Sequence, residues 1–294
     1  MPVTNARAVA KAVTLPVDTI ILDLEDSVGA ASKDEAAAQL AEALGRDFGY
    51  RTVFTRINGL QSDLWQQDIE AVRGAMAKGG RCHGIVLPKI ESCEQIRQVT
   101  DVLGASSGLD IWIMIETPAA VQNAEALCGY GAPVTGVMVG TADLAKELKL
   151  PDSRFVTVPD NFRAAMSPQS RAGLVTSLSM IVIAARAAAI SAIDGVYMNF
   201  RDNEGLEQEV WQGLSLGFDG KSLIHPAQLE VSNRVFSPSE SELAEAREMI
   251  ETWQASSDAG QAVCSFKGAL VEELHVKQAK ARLELAQRID EQTS

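Results

Sequence analysis

Seven short runs rich in Val, Ile and Leu recur along the chain, at 18–26, 51–58, 84–90, 110–117, 134–140, 192–200 and 218–225. Each is nearly continuous in apolar character, the pattern of strands buried on both faces. Between them lie Ala-rich stretches whose apolar positions return every three or four residues, at 33–44, 64–77, 91–103, 119–128 and 173–189, so helices are expected there. Strands alternating with helices imply a parallel sheet covered on both sides, in an open doubly wound sheet or a closed barrel. Two features favour the barrel. No GxGxxG or P-loop follows the first run, so the nucleotide fingerprint of an open sheet is missing. Polar residues with chemical potential also sit at the C-terminal ends of at least four runs, and a barrel gathers such ends around one mouth. The expected fold is a (β/α)8 TIM barrel.

Seven runs leave that barrel one strand short. A helix expected at about residues 5–13 begins almost at Met1, so the missing member should be the first. The gap beside the first run is expected to stay open or to be filled by something else. The polar interval 149–171, with Pro151, Pro159 and Pro168, reads as an insertion over the mouth, a lid or specificity loop. After residue 225 the style changes. A helix at 239–253 opens on a Ser-Pro-Ser signal, a Gly-punctuated hairpin follows at 260–272, and an amphipathic helix at 274–289 ends the chain. The barrel domain is therefore expected over residues 1–230 and a C-terminal arm over 231–294, the arm reaching a neighbouring subunit.

Composition narrows the function without naming it. At 294 residues, 46% hydrophobic and 22% charged, the chain can bury a full core unaided. The net charge of −13 argues against nucleic acid, whose binding rests on phosphate neutralisation, but leaves room for a phosphate-bearing cofactor over a local basic patch. No apolar run approaches the ~18 residues of a membrane span. The four cysteines, Cys82, Cys93, Cys128 and Cys264, are scattered, which suits a reduced, cytoplasmic protein. Arg7 and Lys11 precede any acidic residue, as in a transit peptide, but the segment runs into a strand with no spacer, so no targeting segment is expected.

The candidate chemistry lies at the run ends. The first closes in Asp23-Leu24-Glu25-Asp26-Ser27-Val28. These carboxylates need cations or hydrogen bonds if buried; a solvated strand-to-loop junction is the plain alternative. The second ends at Arg56, whose planar fork suits a carboxylate or enolate oxygen, or simply a salt bridge to the acids next door. Lys89, at the end of the third, raises a Schiff-base aldolase. The nearby carboxylates would push its pKa up, so a paired electrostatic role is favoured. Glu116 and Asp143 close the fourth and fifth, in Glu116-Thr117-Pro118 and Gly140-Thr141-Ala142-Asp143. Two oxygen donors with no His nearby suit Mg2+, with Mn2+ as a substitute, better than zinc or iron. A glycosidase pair is disfavoured because three Tyr and four Trp leave few surfaces for sugar stacking. His225, before Pro226, reads as a structural histidine.

These motifs together resemble the HpcH/HpaI aldolase and citrate lyase β-subunit family, in particular its acyl-CoA lyase branch of malyl-CoA and citramalyl-CoA lyases. The resemblance runs through Ile21 to Val28, Arg56-Ile57-Asn58, Leu87-Pro88-Lys89, Ile115 to Pro118, Gly140 to Leu144, Ala192 to Tyr197 and Gly217 to Pro226. It implies a Mg2+-dependent barrel assembled as a homotrimer or a dimer of trimers. Glu116 and Asp143 match the metal ligands and Arg56 the residue holding the thioester or acid oxygen, while Glu25, Asp26, Lys89, Thr117, Pro118, Gly140 and Thr141 surround them. Three departures stand out. The opening Arg-Ser-x-Leu-Phe-x-Pro strand is reduced to Met1-Pro2. Asn199-Phe200-Arg201-Asp202 replaces a frequent Asp-x-Lys-Asp run. Glu272 stands where the arm normally carries an Asp that reaches a neighbour's site.

The activity so implied is cleavage or formation of a carbon–carbon bond in a β-hydroxyacyl-CoA such as malyl-CoA or citramalyl-CoA, giving acetyl-CoA and a 2-oxo acid. Glu272 would exchange a proton at carbon. The alternatives are a citrate lyase β subunit using an acyl carrier protein, an acyl-CoA thioesterase, or a catalytically weakened binding protein.

Overall fold

The computed structural model describes residues 1–104, 107–151 and 171–293. It divides into two compact units, Met1–Ser232 and Asn233–Ser294. In the first, helix α1 (Ala6–Ala12) leads into seven strands: β1 (Thr19–Asp23), β2 (Thr52–Arg56), β3 (Gly84–Leu87), β4 (Asp110–Ile115), β5 (Val134–Val139), β6 (Ser191–Asp194) and β7 (Gly220–Lys221). They form one curled sheet in sequence order, each parallel to the next. The helices between them are α2 (Lys33–Leu44), α3 (Leu64–Ala77), α4 (Cys93–Leu103), α5 (Pro118–Gln122), α6 (Ala124–Cys128), α7 (Thr141–Glu147), α8 (Val175–Ala187) and α9 (Asn203–Leu216).

Strand side chains alternate between two environments, as the two-residue strand period requires. Ile20 and Leu22 of β1, Ile85 and Leu87 of β3, and Ile113 and Ile115 of β4 join the large core beneath the helices. The intervening residues Phe54, Val86, Met114 and Met138 form a small inner cluster, with Ile21, Trp112 and Ile193 against it. Extending the inner parity by one pleat toward the C-terminal strand ends reaches Asp23, Arg56 and Glu116. The polar groups thus continue the inner apolar rows, which is why they meet.

Seven strands in native order is the arrangement the apolar runs predict, with β1 and β7 unpaired to each other among the described residues. Beside β1, Pro2 bridges Asp23 in parallel. The Asp23 N–H donates to the Met1 carbonyl at 2.8 Å and the Val3 N–H to the Asp23 carbonyl at 3.2 Å. Three residues therefore cover the C-terminal end of an edge that proteins seldom leave bare. The last two strands are shorter than their apolar runs. Pairing of β6 ends at Asp194, where the carboxylate takes the Gly195 N–H at 2.8 Å and the chain turns away. The expected helix at 119–128 is two helices broken at Asn123, and the expected insertion at 149–171 lies almost wholly outside the described residues.

Helix α10 (Leu229–Phe236) spans the division between the units. The second unit contains α11 (Glu240–Asp258), the antiparallel pair β8 (Cys264–Phe266) and β9 (Ala269–Val271), and α12 (Glu273–Thr293). Ser239 opens α11 with a capping box to Glu242, satisfying backbone N–H groups that the first helical turn leaves over. Cys264, Phe266, Val271 and Val276 pack with Met249, Ile250 and Trp253 into a small core of its own. Among the described residues no helix is long and apolar enough to cross a membrane.

Candidate active site

Strand register sets Asp23 directly beside Arg56. The guanidinium docks as a fork, Nε to Oδ1 at 2.7 Å and Nη2 to Oδ2 at 2.5 Å. Asp23 also accepts the Glu25 N–H at 2.9 Å and the Ser27 hydroxyl at 2.5 Å. Burial pushes the Asp23 pKa up, but the Arg56 bonds and charge, with Ser27 and the Glu25 amide, outweigh it and hold the group down at about 2. It is a permanent anion. Two of the five guanidinium N–H groups are spent on Asp23, which fixes the plane of Arg56 and leaves its Nη edge for other oxygens.

Glu25 is buried beside this pair. Arg56 Nη1 stands 3.2 Å from its Oε2, yet that oxygen has no hydrogen-bond partner among the described residues, so the contact is one of charge. Lys89 makes an ion pair with Glu25 Oε1 and lies 3.4 Å from Asp26. Burial acts to lower the Lys89 pKa, but the bond to Glu25 and the charges of Glu25, Asp26 and Glu116 push it up to about 12. An amine so held is no Schiff-base nucleophile at neutral pH. Lys89 has a second role through its backbone. At φ 54° its N–H turns toward Glu116 and donates to Oε1 at 2.7 Å.

Glu116 follows β4 and is 1% exposed. Its pKa is pushed up to about 7 by burial and the charge of Glu25, with Asp143 adding to the rise and Lys89 opposing it. Thr117 caps α5, its hydroxyl accepting the Ala120 N–H at 3.1 Å, and Pro118 fills the first helical position. The chain thus leaves β4 directly into a helix, with Glu116 at the junction. Gly140, after β5, lies flat against Glu116; any Cβ there would overlap the carboxylate. Asp143 is the third residue of α7. It therefore comes from the first turn of a helix, one step beyond the strand end at which the sequence motif suggested it.

Glu116 Oε2 has no hydrogen-bond partner among the described residues, and its neighbours Glu25 and Asp143 are also acids. Leaving such a carboxylate ionised costs free energy unless a cation joins it. No group of three or more His, Cys, Asp and Glu side chains among the described residues is placed to hold a metal ion; the carboxylates that could hold one here are the pair Glu116 and Asp143. One or two carboxylates, with the remaining positions left to water and ligand, is the preference of Mg2+. The residues fit that ion.

Glu272 lies in the second unit on the turn from β9 into α12, exposed, its N–H donating to His275 Nδ1 at 3.0 Å. His225 caps a short 3-10 turn, its Nδ1 accepting the Ala227 N–H at 3.1 Å. The sequence grouped Asp23 with Glu25 and Asp26 and offered a salt bridge from Arg56 to these acids without singling out Asp23, although strand parity was a usable signal: Asp23 shares a face with Ile21. It also gave no role to Lys33, whose ammonium holds the carbonyls of Leu24 and Glu25, both at 2.7 Å. A helical Lys reaching back over the strand end leaves no mark in a pattern of apolar spacing.

Comparison with known proteins bears on this arrangement. A family described as HpcH/HpaI aldolase/citrate lyase matches residues 1–226. A (3S)-malyl-CoA thioesterase of Cereibacter sphaeroides is 37% identical over 290 residues, covering 98% of this chain and 93% of its own length. An L-malyl-CoA/beta-methylmalyl-CoA lyase of the same species is 29% identical over 282 residues, 92% of this chain and 88% of its own. Among solved structures, the protein CitE of Mycobacterium tuberculosis, in complex with magnesium, acetoacetate and coenzyme A, superposes with a TM-score of 0.76 at 29% identity, covering 97% of this chain and 96% of that one.

Proposed function

The chain is an enzyme of the HpcH/HpaI aldolase/citrate lyase family, and from that premise we propose that it is a Mg2+-dependent lyase for a β-hydroxyacyl-CoA of the malyl or citramalyl kind, releasing acetyl-CoA and a 2-oxo acid. The observation that carries the reading is the adjacency of two opposite features on one sheet face. A buried carboxylate without enough positive charge, Glu116 with Asp143 nearby, is joined through Lys89 and Glu25 to a guanidinium locked in orientation by Asp23. One can hold a cation and the acid end of a substrate; the other offers N–H groups to a second oxygen. Closure of the seven strands into a (β/α)8 barrel belongs to the same reading, supported by their parallel order and by the likeness to CitE.

When bound, Mg2+ would supply Lewis acidity that makes the substrate hydroxyl a stronger acid, so that its proton passes to solvent water as the carbon–carbon bond breaks. Glu116 and Asp143 hold that ion and thereby the hydroxy-acid end of the substrate. Arg56 donates N–H to the thioester oxygen, where negative charge accumulates as the carbon–carbon bond gives up its electron pair. Asp23 keeps the guanidinium plane fixed, so little reorganisation is needed at that moment. Lys89 pairs with Glu25, opposing the upward push that burial gives its pKa, and through its backbone N–H aims Glu116. Glu272, from a neighbouring subunit in a homotrimer or larger ring, delivers the proton that turns the enolate into acetyl-CoA.

One observation favours a second reading. Identity to the malyl-CoA thioesterase, 37%, exceeds that to the lyase, 29%. Under that reading Arg56 serves the oxyanion formed when water attacks the thioester carbon. Incubating the protein with Mg2+ and malyl-CoA and resolving the products separates the two. Glyoxylate with acetyl-CoA supports the lyase, malate with free CoA supports the thioesterase, and unchanged malyl-CoA and citramalyl-CoA refute both.

A further inference from the structure

Away from the carboxylate pair, four charged side chains are buried together behind β6. Asp194 and Lys221 are fully buried, and Arg171 and Glu209 nearly so. Lys221 Nζ donates to Asp194 Oδ2 at 3.1 Å, to Glu209 Oε1 at 2.6 Å and to the Gly195 carbonyl at 2.6 Å. Arg171 donates Nη1 to Asp194 Oδ1 at 2.6 Å and Nε to Gln212 Oε1 at 2.8 Å. The two cations and two anions balance. Desolvating four charges leaves little net stability, and apolar side chains of similar bulk often replace such clusters without loss.

What the cluster does fix is one residue, Gly195. The Gly195 N–H donates to Asp194 Oδ1 at 2.8 Å while its carbonyl is held by Lys221, so both polar groups of Gly195 are tied to buried charges. Gly195 in turn abuts the start of α7. A Cβ on Gly195 would fall 2.5 Å from Thr141 Cγ2 and 2.6 Å from Thr141 Oγ1, and the Thr141 hydroxyl donates to the Val196 carbonyl at 3.4 Å. On the opposite side Gly140 lies against Glu116. The first residues of α7 are thus wedged between Glu116 and Gly195, with Asp143 two residues beyond Thr141.

We infer that Asp194 and Lys221 are positioning residues of the cation site: by clamping Gly195 they set where α7 begins, and with it the separation of Asp143 from Glu116. The inference rests on the reading of Glu116 and Asp143 as the cation ligands. It explains why an ionic cluster of small net stability occupies the layer behind β6, since supports one contact removed from a ligand govern metal affinity.

The test uses the double variant Lys221→Met/Glu209→Leu, which removes one charge of each sign and leaves the Arg171–Asp194 pair. Mg2+ alone is titrated calorimetrically into the full chain, and amide hydrogen exchange is followed over residues 141–147. The expected result is a melting temperature close to wild type, Mg2+ binding weaker by about tenfold, and faster exchange in 141–147. Should the double variant not fold, Gly195→Ala keeps all four charges and pushes Thr141 directly; the same two changes are expected. Wild-type Mg2+ affinity together with wild-type exchange, in whichever variant folds, overturns the inference. If the wild-type protein itself binds no Mg2+, the carboxylate-pair reading falls and the cation role with it, and exchange over 141–147 then decides whether the Gly195 clamp sets where α7 begins.

Discussion

Replacing Asp23 by Asn removes the charge that anchors Arg56 and keeps the shape. The Asp23 pKa falls from 3.8 to about 2 in the folded protein, which converts to about 2 kcal/mol of folding stability near neutral pH. With 5% of the side chain exposed, solvent screening takes little from that figure. Because the folded pKa is depressed, this stability is present above the unfolded pKa and is lost as pH falls through the folded one. At pH 3 about 1 kcal/mol of it should remain. Reversible urea unfolding of wild type and Asp23→Asn at pH 7 and pH 3 measures the difference directly. The gap between the two proteins should shrink by about 1 kcal/mol between those pH values, and the variant should lose turnover through a misaligned Arg56 by about 100-fold. A gap that is the same at both pH values, or that grows toward acid, would show that Asp23 is not the low-pKa partner of Arg56.

Gly140→Ala should abolish Mg2+ binding measured by calorimetry while circular dichroism stays native, because the new methyl competes with the Glu116 carboxylate and not with the core. Glu116→Gln should leave the fold intact and remove the Mg2+ dependence of activity along with most turnover; Mg2+-stimulated activity in that variant would remove Glu116 as a ligand. Borohydride added with a 2-oxo acid should fail to trap an adduct on Lys89, whose amine is held protonated by Glu25 and its acidic neighbours, and a trapped peptide by mass spectrometry would reverse that assignment. Mixing inactive Glu116→Gln with inactive Glu272→Ala should restore partial activity if Glu272 works in a neighbouring subunit. Mixed oligomers without activity, or full activity in Glu272→Ala alone, would end that role.

Strand–helix alternation was legible along the chain, because burial on both faces leaves continuous apolar runs, and their strand length and Val/Ile content set them apart from the Ala-rich helical stretches. Helices α2 and α3 could be read to the residue, since Lys33–Leu44 and Leu64–Ala77 carry a full apolar stripe. Helix α7 could not, for seven residues make barely two turns of pattern. Helix α9 was missed as well: two glycines and several polar residues in NEGLEQEVWQGLSL blur its stripe. The candidate acids, Arg56 and Lys89 were legible as residue types at run ends. Their pairing was not.

Which carboxylate takes the guanidinium depends on β1 and β2 lying side by side in one register, a contact between residues 33 positions apart. A two-residue period tells which face a side chain occupies, but not what stands opposite. The same holds for Gly140 and Gly195, whose missing side chains matter only because Glu116 and Thr141 fill the space. It holds equally for Arg171, Asp194, Glu209 and Lys221, which look in the sequence like four ordinary surface charges. Only the packed layers, by excluding water from all four at once, turn them into a fixed support.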